Sequence, residues 1–101
     1  MAGIVAIGSI CGSSVSGADG ETLGSITEIM VDTAGGGVAY VVLAYGGVLG
    51  VGEKLFALPW SALSIDAASG KITTSLTRDR LDGLDGFDKD AWPTEPDAAL
   101  G

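Results

Sequence analysis

The sequence predicts an all-β fold, a small barrel or sandwich, and three observations carry that prediction. Short apolar runs recur at close spacing along the chain. Glycine supplies 17 of the 101 residues and collects between those runs. Two segments with hairpin chemistry, Ala18-Asp19-Gly20-Glu21 and Ala67-Ala68-Ser69-Gly70, fall where strands would reverse. The length suits one domain, long enough for a core that needs no disulfide or metal. With 47% apolar and 18% charged residues, the chain has the apolar surface that folding requires.

In chain order, residues 1–8 form an apolar N-terminal arm. Gly3 and Gly8 interrupt it, and it falls well short of the roughly 20 residues that span a bilayer, so no membrane span is expected. A short strand within Ser9 to Val15 leads into the first hairpin. Leu23 to Asp32 follows, rich in β-branched residues (Ile26, Thr27, Ile29, Val31), and Thr33-Ala34-Gly35-Gly36-Gly37 breaks it. Val38 to Tyr45 is the clearest strand. Gly46 to Gly52 connects it to Glu53 to Pro59, and Pro59-Trp60-Ser61-Ala62-Leu63 turns the chain with a short helical piece. Ser64 to Asp66 and Lys71 to Leu76 make the second hairpin. Thr77 is suited to cap a short helix whose Leu81, Leu84 and Phe87 lie along one face. The organisation is thus an arm at 1–8, barrel strands at 9–77, a short helix and Trp-Pro segment packed on the barrel at 78–93, and a loose tail at 94–101.

Two strands lack the alternation of a half-exposed sheet. In Val38 to Tyr45, one face (Val38, Tyr40, Val42, Ala44) is expected to fill the barrel, while the other (Ala39, Val41, Leu43, Tyr45) must meet a helix, the arm or a second chain. Glu53 to Trp60 behaves likewise. Tyr40, Val42, Tyr45, Phe56, Leu58 and Trp60 are therefore the candidate interface residues, and a homodimer is the expected partner arrangement.

Conventional catalytic chemistry is hard to assemble from these residues. The chain has no His, Asn or Gln, which excludes Ser-His-Asp and Cys-His arrangements and any His-containing zinc site. Cys11, the single cysteine, has no basic neighbour in sequence to lower its pKa. Gly46 to Gly52 before Lys54 lacks the Gly-Lys-Ser/Thr that opens a helix in a phosphate loop. Asp82, Asp85, Asp88 and Asp90 do not follow the spacing of a calcium loop and read as a solvated acidic face. Glu28, Asp32 and Glu53 show no sign of converging. No catalytic, cofactor-binding or metal-binding residue is assigned. The net charge is −8, with seven carboxylates against Arg80 and Lys89 in residues 79–101. Only five basic residues exist in the chain, so direct nucleic-acid binding is not expected.

One family fits. Asp19-Gly20-Glu21-Thr22-Leu23-Gly24-Ser25-Ile26, Val38-Ala39-Tyr40-Val41-Val42-Leu43, Glu53-Lys54-Leu55-Phe56-Ala57-Leu58-Pro59-Trp60-Ser61-Ala62-Leu63 and Gly86-Phe87-Asp88-Lys89-Asp90-Ala91-Trp92-Pro93 together resemble the PRC-barrel, over roughly residues 9 to 93. The resemblance implies a small, strongly bent β-barrel, as in the cytoplasmic domain of the photosynthetic reaction-centre H subunit, and is greatest to the stand-alone bacterial group. It implies a non-enzymatic role. The expected function is a non-catalytic adaptor or interaction domain that self-associates, in the cytoplasm. The alternative is a small-molecule or divalent-metal-responsive binding domain.

Overall fold

A computed structural model describes residues 4–46, 54–97 and 100. Six strands form one curled sheet: β1 (Ser14–Ser16), β2 (Thr22–Val31), β3 (Val38–Tyr45), β4 (Lys54–Leu58), β5 (Leu63–Ile65) and β6 (Ile72–Thr74), in the order β4-β3-β2-β1-β6-β5. Two short helices, α1 (Ile7–Ile10) and α2 (Arg78–Asp82), and a 3-10 turn at Trp60–Ala62 complete the regular structure. Neighbouring strands are antiparallel except β1 and β6, which run parallel with Val15 opposite Ile72. The sheet is a half-barrel, as the all-β expectation and the resemblance both anticipate.

Both expected hairpins are present. Gly17 N–H donates to the Glu21 carbonyl across the first, and Asp66 N–H to the Lys71 carbonyl across the second. The expected strand within Ser9 to Val15 is shifted: Ile7–Ile10 makes a helical turn, and β1 begins at Ser14. The Gly46 to Gly52 connection lies outside the described residues from Gly47 onward.

Register irregularities supply the bend. Val15 and Ser16 of β1 face Gly24 and Thr22, leaving Leu23 as an extra residue on β2. Thr27 is extra on β2 against Leu43 and Val42, and Ala39 is extra on β3 against Met30 and Val31. Each extra residue kinks its strand and increases the local twist, which lets a ten-residue β2 wrap around a small core. Gly24 marks the tightest approach, since a Cβ there would run into the Ala44 carbonyl.

The faces of β3 are the reverse of those expected, and the irregularity at Ala39 brings Val38 onto the same face as Val41. Val41, Leu43 and Tyr45, with Val38 at the edge, point into the main core, where they meet Val15, Leu23, Ile26, Phe56, Leu58 and Ile72. Tyr40 and Val42 lie on the opposite face and form a second cluster with Ala57, flanked by Met30, Ala39, Leu55 and Phe87. The cover on that second face is the chain's own C-terminal segment.

Candidate interaction surface

The barrel interior is filled. Val15, Ile26, Val41, Leu43, Phe56 and Leu58 are fully buried and fill it, and close-packed interiors leave few voids larger than a water molecule. Any chemistry or recognition must therefore take place on the outside.

The candidate interface residues separate accordingly. Tyr45, Phe56 and Leu58 belong to the main core, and Tyr40 and Val42 to the outer cluster. All five are buried within the chain. β3 lies between β2 and β4 on its edges, and the core on one side and the C-terminal segment on the other leave its faces closed. Trp60, on the 3-10 turn, is the one of the six that is exposed, at 40%.

Around Tyr45 a polar latch fixes α2 to the sheet. The Tyr45 hydroxyl donates to Asp82 Oδ1 at 2.5 Å and lies 3.2 Å from the Arg78 carbonyl oxygen. Burial pushes the phenol pKa up, and the hydrogen bond to Asp82 and its negative charge push further, against the Arg78 guanidinium. That guanidinium sits 5.8 Å from the centre of the Tyr45 ring and donates to the Thr22 carbonyl. Its ion pair with Glu21, 3.4 Å, is between half-exposed groups and contributes little. Lys54 of β4 donates to the carbonyls of Asp82 and Leu84, groups that the end of a helix leaves without intrahelical donors. The N-terminal end is capped by Thr77, whose hydroxyl accepts from Arg80 N–H.

Beyond α2 the chain crosses the outer face and the β4 edge. Phe87 N–H donates to the Leu55 carbonyl at 2.7 Å, and Asp97 N–H to the Ala57 carbonyl at 2.9 Å. Between these two anchors the Tyr40 hydroxyl donates to the Pro93 carbonyl at 2.7 Å, and burial raises the Tyr40 pKa. Phe87 packs into the outer cluster and meets Trp92 edge to face at 5.1 Å. Gly86, at φ +72°, passes so near the Leu55 carbonyl that a Cβ would not fit. A cleft of about 430 Å³ remains between this segment and Ala57, lined by Phe87, Pro93, Pro96 and Asp97. Of the Trp92-Pro93 pair, Trp92 stays 40% exposed beside Phe87 and Pro93 accepts from Tyr40. Within the stretch expected to form a loose tail, two described residues make contacts that the sequence did not signal: Asp97 N–H donates to the Ala57 carbonyl, and Leu100 is buried in the main core. A single leucine after an Ala/Asp/Pro stretch carries too little pattern to announce such an anchor.

The remaining candidates take local roles. Asp32 accepts from Ala34 and Gly35 N–H, and Asp66 from Ala68 N–H, each shaping a turn. The Ala68 N–H, followed by the Ser69 hydroxyl, holds the Asp66 carboxyl below the ordinary range. Glu53 lies outside the described residues. Among the described residues no three His, Cys, Asp or Glu side chains converge as metal ligands, and no helix is long and apolar enough to cross a membrane. Cys11 is a half-buried free thiol.

A family model described as the PRC-barrel domain matches residues 3–81. No curated protein matches the chain. The family match ends within α2, so the segment over the outer face lies beyond it.

Proposed function

From the premise that the chain belongs to the PRC-barrel family, we propose that it is an adaptor domain that self-associates and works by presenting its outside to another macromolecule. PRC-barrel domains are small and generally non-enzymatic. The observation that carries the reading is the filled barrel: with Phe56, Leu43 and Ile26 closing the interior, only outer surfaces are available for recognition. Apolar side chains are held there, with Trp60 at 40% exposure and Ile7 at 50%. A cytoplasmic setting suits the unpaired Cys11 thiol. Light scattering behind size exclusion, run over a micromolar concentration series, tests self-association. A growing dimer fraction is expected, and a strict monomer at every concentration would sink the homodimer and redirect the search to a different protein on the same surface.

The small-molecule alternative has one observation in its favour, the cleft of about 430 Å³ beneath Pro93 to Asp97. A ligand held there would raise the melting temperature, by a stabilisation that grows as the logarithm of its concentration over its Kd. No shift across a metabolite panel at millimolar concentration would remove this reading. The divalent-metal version gains nothing from the geometry, because Asp82 is engaged with Tyr45.

A further inference from the structure

Residues 84–97 cover the middle of the second apolar cluster and leave its margins open. Pro93 and Thr94 stand over it as a ridge with a cleft on either side, and both residues line both clefts. On the β4 side is the cleft of about 430 Å³, with Ala57, Phe87 and Pro96 among its apolar lining. On the β2 side is a second, of about 450 Å³, over Met30, Val31, Ala39 and Tyr40. The ridge is fixed from below and at its end, where the Tyr40 hydroxyl donates to the Pro93 carbonyl and Asp97 N–H to the Ala57 carbonyl. Both clefts are thus built into the fold.

Their charge has one sign. Glu95 and Asp97 line the first cleft and Asp32 the second, and among the described residues no lysine or arginine lines either. An apolar floor beside a carboxylate suits a side chain with an aliphatic stem and a cationic head, because the stem loses its contact with water while the head keeps a charged partner. The net charge of −8 acts in the same direction, drawing basic partners in and repelling phosphate. We propose that the two clefts are paired sockets for cationic side chains, through which this face docks a basic segment of a partner protein, one Lys or Arg on each side of Pro93 and Thr94. The pairing favours a protein segment over a free organic cation. β2 and β4 flank β3, so they lie about 10 Å apart, a gap that an extended chain rising about 3.3 Å per residue crosses in about three residues. A small cation occupies one cleft, whereas two cations on one chain bind together and reinforce each other.

This docking face rests on the adaptor reading and is independent of self-association. The probe is a short capped peptide of glycine and serine carrying two arginines about three residues apart, titrated into the full chain and followed by NMR. Amide shifts are expected at Ala57 on one side and at Val31 and Ala39 on the other, with an affinity about tenfold or more above that of the one-arginine peptide. Glu95→Lys, at an exposed position, should weaken the two-arginine peptide about tenfold by setting a repulsive charge at the first cleft, with the melting temperature close to that of the parent. Asp32 is left in place because its carboxylate shapes its own turn. Equal affinity of the one-arginine peptide or of free arginine amide would overturn the paired sockets in favour of a small cation. Equal shifts from a peptide with glutamate in place of arginine would overturn recognition by charge, and no shift at millimolar two-arginine peptide would overturn the docking face. None of these results alters the light-scattering test of self-association, and a strict monomer there leaves the docking face intact.

Discussion

Gly24 shows how one residue limits the curvature of the sheet. It stands opposite Tyr45, and its missing side chain is what lets β2 close on the Ala44 carbonyl. Because the obstacle is backbone, it cannot swing aside as a flexible side chain would. Gly24→Ala is expected to destabilise the fold by about 2–3 kcal/mol, the range for overpacking in a filled core, read as a lower urea midpoint with an unchanged slope. The two buried tyrosines set an alkaline limit in the same way. Tyr40 and Tyr45 both have pKa values raised above the ordinary 10.0, so the fold favours the neutral phenol. Their contribution is fully present below about pH 10 and is lost as pH climbs through the folded-state values. Urea stability should fall from about pH 10 upward less steeply in Tyr40→Phe/Tyr45→Phe than in the parent chain; identical slopes would remove the tyrosines as its cause.

At the scale of elements, α2 is five residues long and far too short to persist alone. Its position depends on side chains from elsewhere: Tyr45 of β3 on Asp82, Lys54 of β4 on the carbonyls of Asp82 and Leu84. Lys54→Met keeps the aliphatic stem and removes the donors. A loss of about 1–2 kcal/mol is expected, typical of hydrogen bonds with a charged donor, reduced by partial exposure. Tyr45→Phe should cost a similar amount. The double variant should cost less than the two singles together, because both tie down the same turn of chain. Strict additivity in urea melts would mean that Lys54 and Tyr45 act on α2 independently.

At the scale of the whole molecule, the uneven charge dominates. A chain at −8 repels itself when folded, and residues 84–97 bring five carboxylates onto a domain that is already acidic. Added salt should therefore stabilise the fold, with the melting temperature rising between low ionic strength and about 0.15 M, where screening acts over roughly 8 Å. The rise should be smaller in a chain carrying Asp88→Asn and Asp90→Asn, two exposed positions of that segment. A melting temperature that falls or stays level with salt would show that the ion pair of Arg78 with Glu21 and the latch at Tyr45 outweigh the net repulsion.

The sequence by itself determined most of the strands, both hairpins and the presence of two strands apolar on each face, because those features are written in residue type and local spacing; the first strand, which begins at Ser14, is the exception. Glycine at the turns, β-branched runs between them and the Thr77 cap need no partner to be read. It also excluded His-based catalysis outright. Only the tertiary structure decided which face of β3 lies inside, since both faces are apolar and residue type does not say which of them the C-terminal segment will cover. The same holds for the candidate interface. Tyr40 and Val42 are apolar and on an outer face, as an interface would be, yet the C-terminal segment covers them by contacts spanning dozens of residues, Tyr40 to Pro93 and Ala57 to Asp97. Long-range closure of that kind leaves no period or motif in the chain, because it is set by where a bent sheet happens to bring its last strand and its C-terminal segment together.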